Sequence, residues 1–206
     1  MSSNPHQLFN ELANFELNKQ DSDRYDIFTA VLSTIQPNNT PYSRSVLITD
    51  TVCEKFKFIT STVSSKCDDI IYNNNISLLF RWKNNQIIIT GTAYICSNDV
   101  NDEYWNKRTL TQKQSSWDRY TSLSSIIKNK YNIEKFITPK YIQLPIVSEY
   151  IQLPRVPTWG VVQIKPSAYD FTIDNENNKK RMHFELNSSS EWIKMCDKFT
   201  VIIGEE

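Results

Sequence analysis

The chain has 206 residues, enough for one domain with a sizeable core, and its 23 Lys+Arg balance 23 Asp+Glu. A formal net charge of zero offers no bulk attraction to nucleic acid or to an anionic membrane, so any anion bound here needs a local site. With three Gly and neither G-x-G-x-x-G nor G-x-x-x-x-G-K-[ST], glycine-rich phosphate loops are excluded as well.

Residues 1 to 5 are polar and expected to fray. Helical spacing then predicts a first helix from about His6 to Lys19, with Leu8, Phe9, Leu12 and Phe15 on one side. Tyr25, Phe28, Val31, Leu32 and Ile35 predict a second helix, preceded by acidic Asp21 and Asp23 and stopped by Pro37. After a turn over 37–41 the period changes, and Ser43–Thr49 and Lys55–Ser61 read as strands. Ser64–Tyr72 reads as a short helix ended by Asn73, Asn74 and Asn75. Ile76–Trp82 and Gln86–Ile95 carry the strongest β-pattern and flank the turn residues Lys83, Asn84 and Asn85. A helix over Asp99–Arg108, capped by Asn98 or Asp99, follows, and broken helix continues to Lys135. The stretch 139–157, with Pro139, Pro145, Pro154 and Pro157, reads as a surface excursion. Strands return at Trp159–Ile164, Tyr169–Ile173, Met182–Leu186 and Phe199–Ile203, with an exposed loop over 174–180. Strands in series with helices inserted predict an α+β fold built on an antiparallel barrel, in a single domain spanning 1–206.

Cys53, Cys67, Cys96 and Cys196 are widely spaced and form no C-x-x-C pair. They read as free thiols in a reducing compartment, and neither His6 nor His183 lies near a Cys in sequence to complete a zinc site. No basic-then-apolar leader and no run of about 18 apolar residues is present, so the expectation is a soluble, cytoplasmic protein with no membrane partner. With two His, no Ser/His/Asp set can be argued.

A flat cofactor with a phosphate tail needs cations and N–H donors at the phosphate and apolar contacts on its faces. Arg44, at the start of a strand, can present a forked donor. Ser64, Ser65 and Lys66 open a helix where free N–H groups, the helix dipole and an ammonium converge. Tyr104 and Arg108 are four apart and share a helix face, a plausible clamp for a second phosphate. Arg181 and His183 are two apart on a strand and share a side. Taken singly, each of these residues also suits an ordinary surface position.

The order of these segments resembles the pyridoxamine 5'-phosphate oxidases. The likeness is carried by Ser43-Arg44-Ser45-Val46-Leu47-Ile48, Phe58-Ile59-Thr60 with Ser64-Ser65-Lys66, and Asn75 to Trp82. It continues through Gln86 to Gly91, Tyr104-Trp105-Asn106-Lys107-Arg108, Trp117, Pro157-Thr158-Trp159-Gly160 and Arg181-Met182-His183. The resemblance implies a homodimeric antiparallel split β-barrel with peripheral helices that binds FMN at the subunit interface and oxidises a small phosphorylated substrate, pyridoxine or pyridoxamine 5'-phosphate, with O2. It further implies that Arg44 and Lys66 hold the FMN phosphate, that Ser45 and Ser65 also bind the cofactor, and that Val46, Leu47, Ile59 and Thr60 line the flavin with Gln86 near its ring. Ser122 would come from the partner chain, Tyr104 and Arg108 would hold the substrate phosphate, and Arg181 and His183 would orient the substrate ring during hydride transfer.

Several positions depart from the family pattern. Thr49 stands for a phosphate-binding Lys, Ser65 for an Arg, Gln112 for a Ser, Thr121 for a Gln, Thr172 for a Trp, and Glu185 for a cation. A carboxylate in place of a cation reverses the local charge. Each lost charge-assisted contact costs about 1.5–3 kcal/mol, so two or three would turn an efficient oxidase into a weak one. The alternatives left open are therefore a protein of this fold that holds FMN or pyridoxal phosphate without efficient turnover, and a flavin reductase-like or haem-handling split barrel.

Overall fold

The computed structural model describes residues 4–19, 23–83, 85–123, 130, 153–175 and 178–195. In chain order the elements are α1 (Pro5–Leu17), α2 (Arg24–Phe28), β1 (Thr29–Ile35), β2 (Pro41–Asp50), a short 3-10 turn (Val52–Glu54), β3 (Phe56–Ser61) and α3 (Ser65–Tyr72). They continue as β4 (Asn75–Trp82), β5 (Asn85–Ile95), α4 (Asn98–Asn106), α5 (Leu110–Thr121), β6 (Trp159–Asn175), β7 (Asn178–Leu186) and β8 (Trp192–Lys194). The strands form a sheet of order β3-β2-β1-β4-β5-β6-β7-β8, and an additional β3–β6 pairing closes six of them into a ring. The pairs β1–β2, β1–β4, β2–β3, β4–β5, β6–β7 and β7–β8 are antiparallel. The expected α+β architecture is the one adopted.

Two compact units make up the chain: Met1–Ile59 with Asp68–Tyr94 and Val162–Glu206, and Thr60–Cys67 with Ile95–Val161. In the first, β-periodicity places the core. Ile76, Leu78, Phe80 and Trp82 of β4 and Ile87, Ile89 and Ala93 of β5 are buried on alternate positions. Phe9 of α1 is fully buried and meets Phe56, Phe80 and Trp82 with ring centroids 5.0, 4.9 and 5.5 Å away. Trp82 donates its buried Nε1–H to the Ile27 carbonyl at 2.8 Å, so its polar edge is satisfied. Gly91 is required by close approach: a Cβ there would lie 2.2 Å from the Lys165 carbonyl oxygen. In the second unit Trp105 packs edge-to-face on Trp159 at 5.2 Å and donates to the Leu153 carbonyl, while Trp117 donates to that of Pro154. The Asn101 amide accepts from Val161 N–H and donates to the Cys96 carbonyl, tying α4 to the strand termini.

Several expectations need correction. The second helix stops at Phe28, and residues 29–35 are strand β1, paired on both sides. The apolar spacing there satisfies either period, and β-branched Thr29, Val31, Thr34 and Ile35 tip it to strand once β2 and β4 offer ladders. Helix α1 begins earlier than expected, because Asn4 caps it by accepting from His6 and Gln7 N–H and Pro5 suits the first turn. Phe15 is exposed, not core. Ser97, not Asn98 or Asp99, is the N-cap of α4. The two strands read at 159–164 and 169–173 are one strand, β6, and residues 174–175 and 178–180 of the expected loop belong to the paired strands β6 and β7. Strand β8 carried no sequence signal strong enough to be read. The strand read at Phe199–Ile203, most of the excursion over 139–157 and most of the helix beyond Leu123 lie outside the described residues.

Candidate functional site

Arg44 stands on the inward side of β2, in line with buried Val46 and Ile48, while Ser45 is exposed and Leu47 half-buried. Its guanidinium is held from several directions. Nη2 donates to the Asp69 carboxylate at 2.6 Å, and Nη1 donates to Thr34 Oγ1 and, at 3.0 Å, to the Tyr42 carbonyl. The Tyr42 ring lies 4.7 Å from the guanidinium carbon. Asp69 is buried, and Thr34, also buried, donates to the same carboxylate oxygen at 2.6 Å. Asp69 belongs to α3, the helix that opens with Ser65 and Lys66. Neither Asp69 nor Thr34 was singled out in the sequence. The only hint is an acidic residue on the apolar side of a short helix.

Ile59 and Thr60 sit half-buried at the end of β3, and Gln86 at the start of β5, opposite Arg81. Lys66 donates Nζ–H to Thr60 Oγ1 at 3.0 Å, so two residues expected along one cofactor do meet. Ser65 is exposed on the first turn of α3.

Tyr104 lies on α4, and Arg108 follows the helix end. Lys107 covers the Tyr104 ring at 5.1 Å, and Arg108 turns toward Trp159, 5.6 Å from its ring centroid. Arg108 Nη2 donates to the Gln112 carbonyl at 3.0 Å and to Ser116 Oγ at 3.4 Å. Arg108 Nε and Trp159 Nε1 are buried with no hydrogen-bond partner among the described residues. Burial, and then the Arg119 charge, lower the Arg108 pKa, so this cation gains by meeting an anion. Ser122 caps the end of α5, its hydroxyl turned to the Arg119 carbonyl.

Arg181 and His183 do share one side of β7, and both reach Asp170 across the β6–β7 ladder. Arg181 grips the carboxylate with Nε at 3.0 Å and Nη2 at 2.6 Å, and the hydrogen bonding and charge of Asp170 raise its pKa. His183 Nδ1 lies 3.7 Å from Asp170, and Nε2 bonds Glu185 Oε1 at 2.9 Å. The departure noted at Glu185 is thus in direct contact with the imidazole. By contrast, a cleft of about 460 Å³ beside α1, lined by His6, Asn10, Thr51 and Glu54, contains none of the predicted site residues.

Among the arginines that make side-chain hydrogen bonds, Arg155 and Arg181 commit Nε to a carboxylate, Asp102 and Asp170 respectively. Arg44 and Arg108, the two expected to hold phosphates, leave Nε without a partner among the described residues. At Arg44 the unpaired Nε–H adjoins an Nη2 with one hydrogen left, which suits the forked geometry of a phosphate; at Arg108 both Nη2 hydrogens are donated to Gln112 and Ser116, and Nη1 is the nitrogen left for an anion.

Among solved structures, PhzG from Burkholderia lata 383, determined with tetrahydrophenazine-1-carboxylic acid, superposes with a TM-score of 0.71 at 16% identity, covering 95% of this chain and 92% of that one. A pyridoxamine 5'-phosphate oxidase-related, FMN binding protein from Nostoc punctiforme superposes with a TM-score of 0.60 at 18% identity, covering 94% and 97%. At these identities the likeness shows the fold. In sequence, the pyridoxine/pyridoxamine 5'-phosphate oxidase of Pelagibacter ubique is 28% identical over 170 residues, 79% of this chain and 77% of that protein. The protein of the same name from Microcystis aeruginosa is 29% identical over 169 residues, covering 80% and 74%. The family profile described as pyridoxamine 5'-phosphate oxidase matches residues 25–134, more than half of the chain. By that match the chain belongs to the pyridoxamine 5'-phosphate oxidase family.

Proposed function

We propose that this chain is an FMN-dependent oxidoreductase acting on a small phosphorylated substrate of the pyridoxine or pyridoxamine 5'-phosphate class. It works as a homodimer of single-domain subunits with the cofactor at their interface. The observation that carries the reading is Arg44, whose Nε–H has no hydrogen-bond partner among the described residues and adjoins an Nη2 with one hydrogen left, at the position where the cofactor phosphate is expected. In this reading Arg44 and Lys66 hold the cofactor phosphate, and Ser45 and Ser65 also contact the cofactor. Val46, Leu47, Ile59, Thr60 and Gln86 line the flavin, together with Ser122 of the partner subunit.

Tyr104 and Arg108 grip the substrate phosphate, and binding energy from that remote group fixes the ring for reaction. Arg181, locked by Asp170, presents a cation with its rotamer set, and His183 beside it orients the ring. The chemistry FMN supplies when bound is acceptance of a hydride equivalent and its delivery to O2. Among the described residues no helix is long and apolar enough to cross a membrane.

The Glu185 contact favours a second reading, in which the protein binds FMN and turns over slowly. With Nε2 of His183 engaged by a carboxylate at 2.9 Å, the imidazole is less available to substrate. Steady-state oxidation of pyridoxine and pyridoxamine 5'-phosphate, followed by peroxide release, separates the two. The oxidase reading expects turnover with both phosphates supplied, and Arg108→Ala raises KM by about tenfold or more through loss of a charge-assisted contact. Bound flavin with no turnover of either substrate leaves the binding-protein reading alone.

A further inference from the structure

We propose that Asp69, together with Thr34, is a positioning residue that aims Arg44 at the phosphate monoester of the cofactor. The inference rests on the FMN reading above and extends it to two residues that would not touch the ligand. Thr34 Oγ1 and Asp69 Oδ2 lie 2.6 Å apart, side by side, and accept from Nη1 and Nη2 of Arg44 respectively. Together they cover the far end of the guanidinium. Nη1 spends its second hydrogen on the Tyr42 carbonyl at 3.0 Å. What remains is the side edge, Nε–H with the adjoining Nη2–H, which matches two oxygens of a phosphate.

The burial of the pair explains why the arrangement is rigid. The Asp69 side chain is 3% exposed and that of Arg44 15%. A carboxylate so far from water is stable only when paired and hydrogen-bonded, and Arg44 and Thr34 supply both conditions. The Tyr42 ring lies alongside the guanidinium, limiting its rotation. Arg181 is the counter-example within the same chain: its Nε and Nη2 edge is spent on Asp170, so it has no such fork to offer. At Arg44 the carboxylate is placed at the other end, and Nε–H has no hydrogen-bond partner among the described residues. Because Asp69 compensates the charge of Arg44, selectivity for phosphate at this position comes from aimed N–H groups more than from net charge.

The test uses the full chain freed of flavin, titrated with FMN and separately with riboflavin, which lacks the phosphate, by quenching of flavin fluorescence. Apo thermal melting is measured in parallel. Asp69→Asn and Thr34→Val are each expected to weaken FMN binding by about tenfold or more while riboflavin binding changes by no more than about twofold. The preference for FMN over riboflavin is the readout that a purely structural role would not move. If Asp69→Asn fails to fold, Thr34→Val carries the test, since it removes one support of Nη1 without stranding a buried charge. Wild-type preference in either folded variant, with preference lost in Arg44→Ala, overturns the positioning role and leaves the FMN reading standing. Undiminished preference in Arg44→Ala, or no flavin binding by the wild type, sinks the FMN reading and this inference with it.

Discussion

At the scale of single residues, His6 shows how much chemistry a long-range contact can hide. In the sequence it is a lone histidine near the N-terminus. In the fold it is buried, donates Nε2–H to the Thr51 carbonyl at 2.5 Å and accepts at Nδ1 from the Tyr169 hydroxyl at 2.8 Å. Those partners are 45 and 163 residues away, so no local pattern could announce them. Burial lowers the His6 pKa below its ordinary 6.5, with the Thr51 carbonyl and the Glu54 charge pulling the other way. Above pH 6.5 the ring is neutral in both folded and unfolded chains and contributes no pH dependence. Below 6.5 the unfolded chain takes up a proton that the folded chain resists, so stability falls as the pH drops toward the folded pKa. In thermal melts taken across this range, wild-type Tm is therefore expected to fall more steeply below pH 6.5 than that of His6→Gln. Parallel slopes would remove His6 from the account. Arg44, Arg108, Arg181 and His183 were candidates in the sequence through their residue types, their spacing and an order of segments that resembles the family. Asp69 and Asp170 were not, because a carboxylate that supports an arginine leaves no local signature.

At the scale of elements, period and turn chemistry were legible where the apolar spacing fits one period only. Strands β4 and β5 alternate cleanly around a short turn, and they form as read. Where two periods fit the same residues, the neighbours decide, as the stretch 29–35 shows by forming strand between β2 and β4. Strand β6 runs unbroken through buried Pro166, which reads locally as a stop. Helix α1 was readable as a helix, and its buried stripe in part: Leu8 and Phe9 are buried as read, while Phe15 points to solvent. The account predicts that Phe9→Ala, which empties a site bounded by Phe56, Phe80 and Trp82, destabilises the protein by about 3–5 kcal/mol in denaturant unfolding. Phe15→Ala, at an exposed position, should stay within about 0.5 kcal/mol of wild type. Equal effects would contradict the placement of the α1 stripe.

At the scale of the whole molecule, the fold class was legible although one early helix was over-read, because many modest signals agree in order along the chain: helices, alternating strands, a short helix, a hairpin, further helix and returning strands. Membership of the pyridoxamine 5'-phosphate oxidase family follows from the sequence match over 25–134. The departures at Thr49, Ser65, Thr172 and Glu185 make activity a quantitative question, and Glu185 is the one whose consequence the structure makes concrete. The central claim is that a phosphorylated flavin is the resident cofactor. It is tested most directly by purifying the full chain, releasing its bound ligand by denaturation, and identifying that ligand by absorption and mass. The account predicts a yellow protein that releases FMN, and a colourless Arg44→Ala variant prepared in the same way. A colourless wild-type protein that also fails to take up added FMN would contradict it.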